Sequence, residues 1–151
     1  MDKKLLILQG LGFKPAGQWV HNGIRLKYEL LTDIRARRNV IYAFAEDDML
    51  AYIGITINTL DDRLRPYVYP AKSKENGGGT NIKNNQNLRA SLGAGKRLDI
   101  YAFVDAFTDE QCALPTRPLH WLENYLIEVL DPPWNDPPHR RGRPAPALVP
   151  S

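Results

Sequence analysis

Asn39-Val40-Ile41-Tyr42-Ala43-Phe44-Ala45, then Glu46-Asp47-Asp48-Met49, then Leu50-Ala51-Tyr52-Ile53-Gly54-Ile55: two short apolar runs rich in β-branched and aromatic residues, separated by an acidic turn. Runs of this length and composition predict the strands Val40 to Ala45 and Leu50 to Ile55, paired as a hairpin in a partly buried sheet. Tyr42 lies five residues before Asp47 and Tyr52 five after it, so a turn centred on Asp47 sets the two phenols opposite each other on one sheet face. Gly54, two residues beyond Tyr52, leaves that face bare. A phenol pair beside a bare patch suits either packing between strands or the approach of a phosphate to backbone.

Downstream, Thr59 followed by Leu60, Asp61, Asp62 and Leu64 marks a capped helix start with acids at the positive end of its dipole. Arg63 and Tyr67 are four residues apart and so share a face of that helix, which Pro66 keeps short or kinked. Residues 70 to 87 are loop-rich around Gly77-Gly78-Gly79, and a helix resumes before Leu88 and ends at Gly93 and Gly95. Leu98 to Val104 reads as a third strand. Thr116 and Pro118 open a helix with Leu119, Leu122, Leu126, Val129 and Leu130 at helical spacing, closed by Pro132-Pro133. Upstream, residues 5 to 13 read as a short helix and Gln18 to Leu31 as a hairpin turning at Asn22-Gly23. The expected architecture is α/β: a small central antiparallel sheet of about three strands flanked by helices. An N-terminal extension, 1–38, packs on the main unit, 39–136, and a Pro/Arg-rich tail, 137–151, has almost nothing to bury and is expected to be disordered.

A chain of 151 residues fits one domain, and 43% hydrophobic with 25% charged residues is ordinary for a globular protein. The apolar runs are too short for a membrane span, and Leu5 to Leu8 is too short for a signal peptide, so a cytoplasmic protein with no membrane partner is expected. One cysteine, Cys112, excludes an intrachain disulfide framework. The net charge of +3 is modest but unevenly spread. Arg63, Arg65, Lys72, Lys74, Lys83, Arg89, Lys96 and Arg97 face only Glu75 between residues 63 and 97, whereas Asp99 to Asp136 is acidic apart from Arg117. Such a basic stretch is either a solvated face or a phosphate-binding one.

On the last helix Glu123 falls roughly 70° from the centre of the apolar stripe and Glu128 roughly 150° from it, so Glu123 is placed at the buried edge and Glu128 in water. A carboxylate at a core edge needs a basic partner or a hard cation such as Mg²⁺, whose remaining ligands can be waters and a substrate phosphate. Gly93-Ala94-Gly95-Lys96 lacks the spacer and hydroxyl residue of a phosphate loop. His21, His120 and His139 are scattered and give no zinc spacing.

Taken in order, Val40-Ile41-Tyr42, Tyr52-Ile53-Gly54, Arg63 with Tyr67, Glu123 and Asn135 resemble the signature of the GIY-YIG nucleases, over residues 39 to 135. Leu122-Glu123-Asn124-Tyr125-Leu126-Ile127 and Pro132-Pro133-Trp134-Asn135 look most like the small phage endonuclease II-like branch and bacterial stand-alone endonucleases. The sequence departs from the pattern at Val40 for glycine, at Ile55 where relatives carry a polar residue, and at Tyr67 where histidine is frequent. The resemblance implies a Mg²⁺- or Mn²⁺-dependent endonuclease acting on DNA, in which Glu123 binds the metal and Arg63 stabilises phosphoryl charge. Tyr42 would accept a proton, its pKa lowered by a nearby cation, while Tyr52 and Tyr67 position water and phosphate and Asn135 orients backbone. Gly54 would admit a phosphate to backbone. Arg65, Lys72, Lys74, Lys83, Asn84, Arg89, Lys96 and Arg97 are candidate DNA contacts. Arg141-Gly142-Arg143-Pro144 resembles an AT-hook core, in which Arg141 and Arg143 enter a minor groove. One active site per small chain implies a homo-oligomer for double-strand cleavage, with a cognate methyltransferase if the role is restriction. A binding module that has lost catalysis and a nuclease of structured RNA are the alternatives.

Overall fold

The computed structural model describes residues 1–70, 78–104 and 116–136. Its sheet has five strands, not three. β1 (Lys14–His21) and β2 (Leu26–Leu30) form the N-terminal hairpin, β3 (Arg38–Glu46) and β4 (Met49–Thr59) the second, and β5 (Leu98–Val104) lies between the hairpins in the order β2-β1-β5-β3-β4. All pairings are antiparallel. The strand count rises because the third strand offers two free edges, and the N-terminal hairpin takes one of them through β1. The N-terminal turn is also longer than Asn22-Gly23: His21 pairs with Leu26, and Asn22 Oδ1 accepts from the backbone N–H of Ile24 and Arg25 across the loop.

The β3–β4 turn is a two-residue one. Asp47 and Asp48 both sit in the left-handed region, with φ of 48° and 64°, the conformation that matches the twist of the flanking strands. This pairs Glu46 with Met49, and a bulge at Ala51 then advances the register by one residue, so Tyr42 lies opposite Gly54 and Phe44 opposite Tyr52. The expected Tyr42–Tyr52 pairing is corrected to a diagonal one. The bulge also decides the face: with no extra residue, Tyr42 would sit opposite Ile53, and Tyr52 would project from the other side of the sheet.

Helices cover both faces. α1 (Lys3–Leu11), capped by the Asp2 side chain on Lys4 N–H, and α5 (Thr116–Leu130) lie over an aliphatic core of Leu5, Leu8, Ile41, Ile53, Leu126 and Ile127. The short α2 (Thr32–Arg35) precedes β3. α3 (Leu60–Val68), started by Thr59 Oγ1 on Asp62 N–H, and α4 (Gly78–Gly93) pack on the other face, whose core holds Trp19, Tyr42, Phe44, Tyr52, Tyr67 and Leu88. Ile127 is buried in α5 and Val129 is 48% exposed, which turns the apolar stripe by roughly 50° towards Glu123 and brings that carboxylate closer to its middle. Glu128 is half-buried and does not stand in water as expected. Asp131, at φ 45°, ends the helix ahead of the two prolines. Among the described residues, no helix is long and apolar enough to cross a membrane.

The outer edge of β4 is closed by the segment after α5. Trp134 N–H donates to Ala51 O at 2.9 Å, Ile53 N–H donates to Asn135 Oδ1 at 2.9 Å, and Asn135 Nδ2 donates to Ile53 O at 2.8 Å. One amide side chain thus satisfies both ladder groups of an edge residue.

Candidate active site

Around that closed edge, elements from both layers meet in a cleft of about 170 Å³. β4 supplies Tyr52, α4 supplies Thr80 and Lys83, α5 supplies Glu123 and Asn124, and the edge segment supplies Asn135 and Asp136. Lys83 Nζ is 3.1 Å from the Asp136 carboxylate across the mouth.

Behind Tyr52 lies a chain of hydroxyls. Tyr42 Oη and Tyr67 Oη are 2.6 Å apart, and Tyr67 is hydrogen-bonded to Tyr52 as well. Tyr42 and Tyr67 are wholly buried, and Tyr52 is 7% exposed at the cleft. Burial pushes all three phenols above the ordinary tyrosine value; for Tyr42 the neighbouring Tyr52 adds to the rise while Arg63 opposes it. Burial thus favours the neutral phenols, and for Tyr42 desolvation outweighs the Arg63 cation beside it.

Arg63 stands at the Tyr42 end of this chain. Its guanidinium lies 4.4 Å from the Tyr67 ring centroid and donates to Asn81 Oδ1 at 3.0 Å. Burial works against its charge, but Tyr42, Tyr67 and Tyr52 outweigh burial and hold its pKa above the ordinary arginine value. Asn81, between the cleft-lining Thr80 and Lys83 of α4, belongs to the polar run Thr80 to Asn85 that in sequence reads as a DNA contact or a capped helix start; Asn124 and Asp136 were not singled out, and each is the immediate neighbour of a residue that was.

The bare patch expected over Gly54 is filled. A Cβ there would lie 2.5 Å from both Cζ and Oη of Tyr42, so the glycine admits the phenol ring and the place read as open to phosphate is occupied. Ile55, on the opposite face, packs partly against the aliphatic core.

The other candidate contacts divide. Lys83 reaches the cleft. Asn84 is corrected: at 1% exposure it faces inward with Leu88, four residues on, and Ser91, three beyond that, on α4, and is no surface contact. Arg97 is engaged within the sheet. It clamps the β3–β4 turn: its side chain pairs with Asp48 and Asp99, its backbone N–H donates to Asp47 Oδ1, and its carbonyl accepts from Asp47 N–H. Lys96 pairs with Glu46 at 3.2 Å beside it, Arg65 pairs with Asp61 at 2.9 Å, and Arg89 donates to Asn85. Lys72, Lys74, Arg141 and Arg143 lie outside the described residues.

As donors for a cation, the cleft offers the Glu123 carboxylate, the amide oxygens of Asn124 and Asn135 and the carboxylate of Asp136. Among the described residues there is no group of three His, Cys, Asp or Glu side chains. That donor set fits Mg²⁺, which is commonly bound through one or two carboxylates plus water and substrate phosphate, and does not fit a zinc cage.

No protein-family model and no curated protein matches this sequence. Solved structures do match. A glutamate-to-alanine mutant of bacteriophage T4 EndoII aligns with a TM-score of 0.63 at 22% identity, over 89% of this chain and all of that one. Restriction endonuclease HPY188I in complex with product DNA aligns with a TM-score of 0.54 at 19% identity, over 70% of this chain and 62% of that one. At these identities the likeness establishes a shared fold.

Proposed function

We propose that this chain is a metal-dependent endonuclease of the GIY-YIG type that hydrolyses phosphodiester bonds in double-stranded DNA. The observation that carries the reading is the meeting of Tyr52 and Glu123 in one cleft, with Tyr67, Tyr42 and Arg63 stacked behind Tyr52. The shared fold with EndoII and with a restriction endonuclease bound to product DNA supports the substrate class.

Glu123 is the residue that would hold Mg²⁺ or Mn²⁺, with Asp136 and Asn124 beside it. The bound cation would polarise a phosphate oxygen and ease departure of the leaving oxygen. Tyr52 is the phenol at the cleft, so it, rather than the sealed Tyr42, contacts the attacking water; Tyr67 and Tyr42 relay the hydrogen-bond chain inward to Arg63. Arg63, held by Asn81 of α4 beside the cleft lining, keeps its charge and would stabilise negative charge on the phosphoryl group. Asn135 holds the β4 edge and through it the position of Tyr52. Lys83 steers the DNA backbone towards the cleft. With one site per chain, cutting both strands takes two copies or two visits, and we infer a homo-oligomer.

The test is cleavage of supercoiled plasmid with Mg²⁺ and with chelator. Wild type is expected to give metal-dependent nicked or linear product, with rates reduced by at least about 10²-fold in Glu123→Ala and in Arg63→Ala. Plasmid binding without cutting, across several divalent metals and on methylated and unmethylated DNA, would replace the enzyme with a binding module.

A further inference from the structure

α3 and its C-cap carry the arginine-to-tyrosine spacing twice. Arg63 and Tyr67 turn into the hydroxyl chain, whereas Arg65 and Tyr69, two residues on, border a separate groove of about 300 Å³ between β2 and the end of α3. Leu26 and Val68 are its apolar lining, Arg25, Lys27 and Arg65 its cations, and Tyr69 stands 68% exposed at its rim. No carboxylate is among the described lining residues. Asp61, outside the lining, fixes two of the walls: it accepts from Tyr28 Oη at 2.7 Å and pairs with Arg65 at 2.9 Å. Arg25 and Lys27 take part in none of the ion pairs among the described residues.

Arg25 and Lys27, outside those ion pairs, beside the partly buried Val68 and the exposed ring of Tyr69, match a sugar–phosphate chain, in which charged phosphates alternate with the apolar faces of deoxyribose. Position points the same way. The groove lies at the β2 edge of the sheet and the cleft at the β4 edge, four strand spacings or about 19 Å apart, a separation that one bound duplex spans.

We propose that this groove binds the backbone of duplex DNA flanking the scissile bond, with Arg25 and Lys27 on phosphates and Tyr69 against deoxyribose. The proposal rests on the endonuclease reading and extends its DNA footprint to the N-terminal hairpin.

Binding of a labelled duplex is measured by fluorescence anisotropy over a salt series with chelator present, for wild type, the Arg25→Ala/Lys27→Ala pair, Arg25→Lys and Tyr69→Ala, and plasmid cleavage is measured alongside. Losing two phosphate contacts is expected to make the slope of log affinity against log salt shallower by about 1.8 and to weaken binding about thirty-fold at physiological salt, with the loss read in KM and not in kcat. Arg25→Lys is expected to keep the wild-type slope. If wild type binds and cuts while the double variant keeps its slope and affinity, the groove assignment is overturned and the endonuclease reading stands. If wild type neither binds nor cuts DNA, both fall.

Discussion

The two faces of this sheet are made from alternate residues of the same strands, yet they are built differently. On one side Ile41, Ala43, Ala45 and Ile53 meet α1 and α5 in a mainly aliphatic core whose one side-chain hydroxyl among the described residues is that of Tyr101. On the other, Tyr42, Phe44 and Tyr52 meet Trp19 and Tyr67 in an aromatic cluster whose ring centroids lie 5.4 to 6.4 Å apart, and three hydroxyls join inside it. The aliphatic face needs only volume. The aromatic face needs volume and an unbroken polar chain in a place without water, which is costly unless every hydroxyl has a partner. The difference separates the part of the core that holds the fold from the part that also serves the cleft.

Alkali breaks the comparison most strongly. The buried phenols titrate above the ordinary tyrosine value of about 10, so the unfolded chain loses these protons first. Stability held by the neutral phenols is whole below about pH 10 and falls as pH rises beyond it, by roughly 4 kcal/mol per pH unit for three tyrosines. Urea unfolding followed by tryptophan fluorescence between about pH 9 and about pH 11 measures this; a midpoint that stays flat across that span means the phenols are not sealed.

Next come single substitutions on either side. Ile41→Ala is expected to cost about 2–5 kcal/mol of stability while the folded fraction cleaves at the wild-type rate. Gly54→Ala is expected to cost less, about 1–3 kcal/mol, because its methyl meets a Tyr42 ring already tied to Tyr67. Its effect on cleavage should be larger, about 10²-fold, since Tyr42 must move. Denaturant curves paired with single-turnover cleavage separate the two; equal activity losses would mean that the faces share one role.

Much of this frame is legible in the sequence, for reasons that also mark where legibility ends. Hydrophobic period and length give β3, β4, β5 and α5, and Thr59 gives the start of α3, because those signals are local. The bulge at Ala51 is not local. It breaks the alternation of β4, so that Leu50 and Tyr52, two residues apart, face opposite sides, and it shows only when two strands close, yet it puts Tyr52 on the face of Tyr42. The polar run Thr80 to Asn85 hides Asn84 in the interior because the helix face, not the residue type, decides exposure. Arg97 likewise reads as a free cation in sequence, since Asp47 and Asp48 come near it only through the sheet. The candidate site residues stand in the sequence as an ordered set; the sealing of Tyr42, the exposure of Tyr52 at the cleft and the ring filling the space over Gly54 come from tertiary packing.

The smallest change sharpens the contrast most. Tyr67→Phe removes one oxygen and leaves the ring that packs beneath Arg63, while Tyr42 and Tyr52 lose the hydroxyl they share. The expected stability cost is about 1–3 kcal/mol for buried hydroxyls left without a partner, close to the 0.5–1.5 kcal/mol or so expected for Ile41→Val on the aliphatic face. Function should part them. If the chain orders Tyr52 for water, Tyr67→Phe lowers kcat by between about ten- and hundred-fold with KM unchanged, short of the roughly 10²–10⁴ of a direct general base, and Ile41→Val changes neither constant. Equal kcat values in the two variants, each confirmed folded by its denaturation midpoint, would reduce the hydroxyl chain to a packing device and leave Tyr52 to act alone.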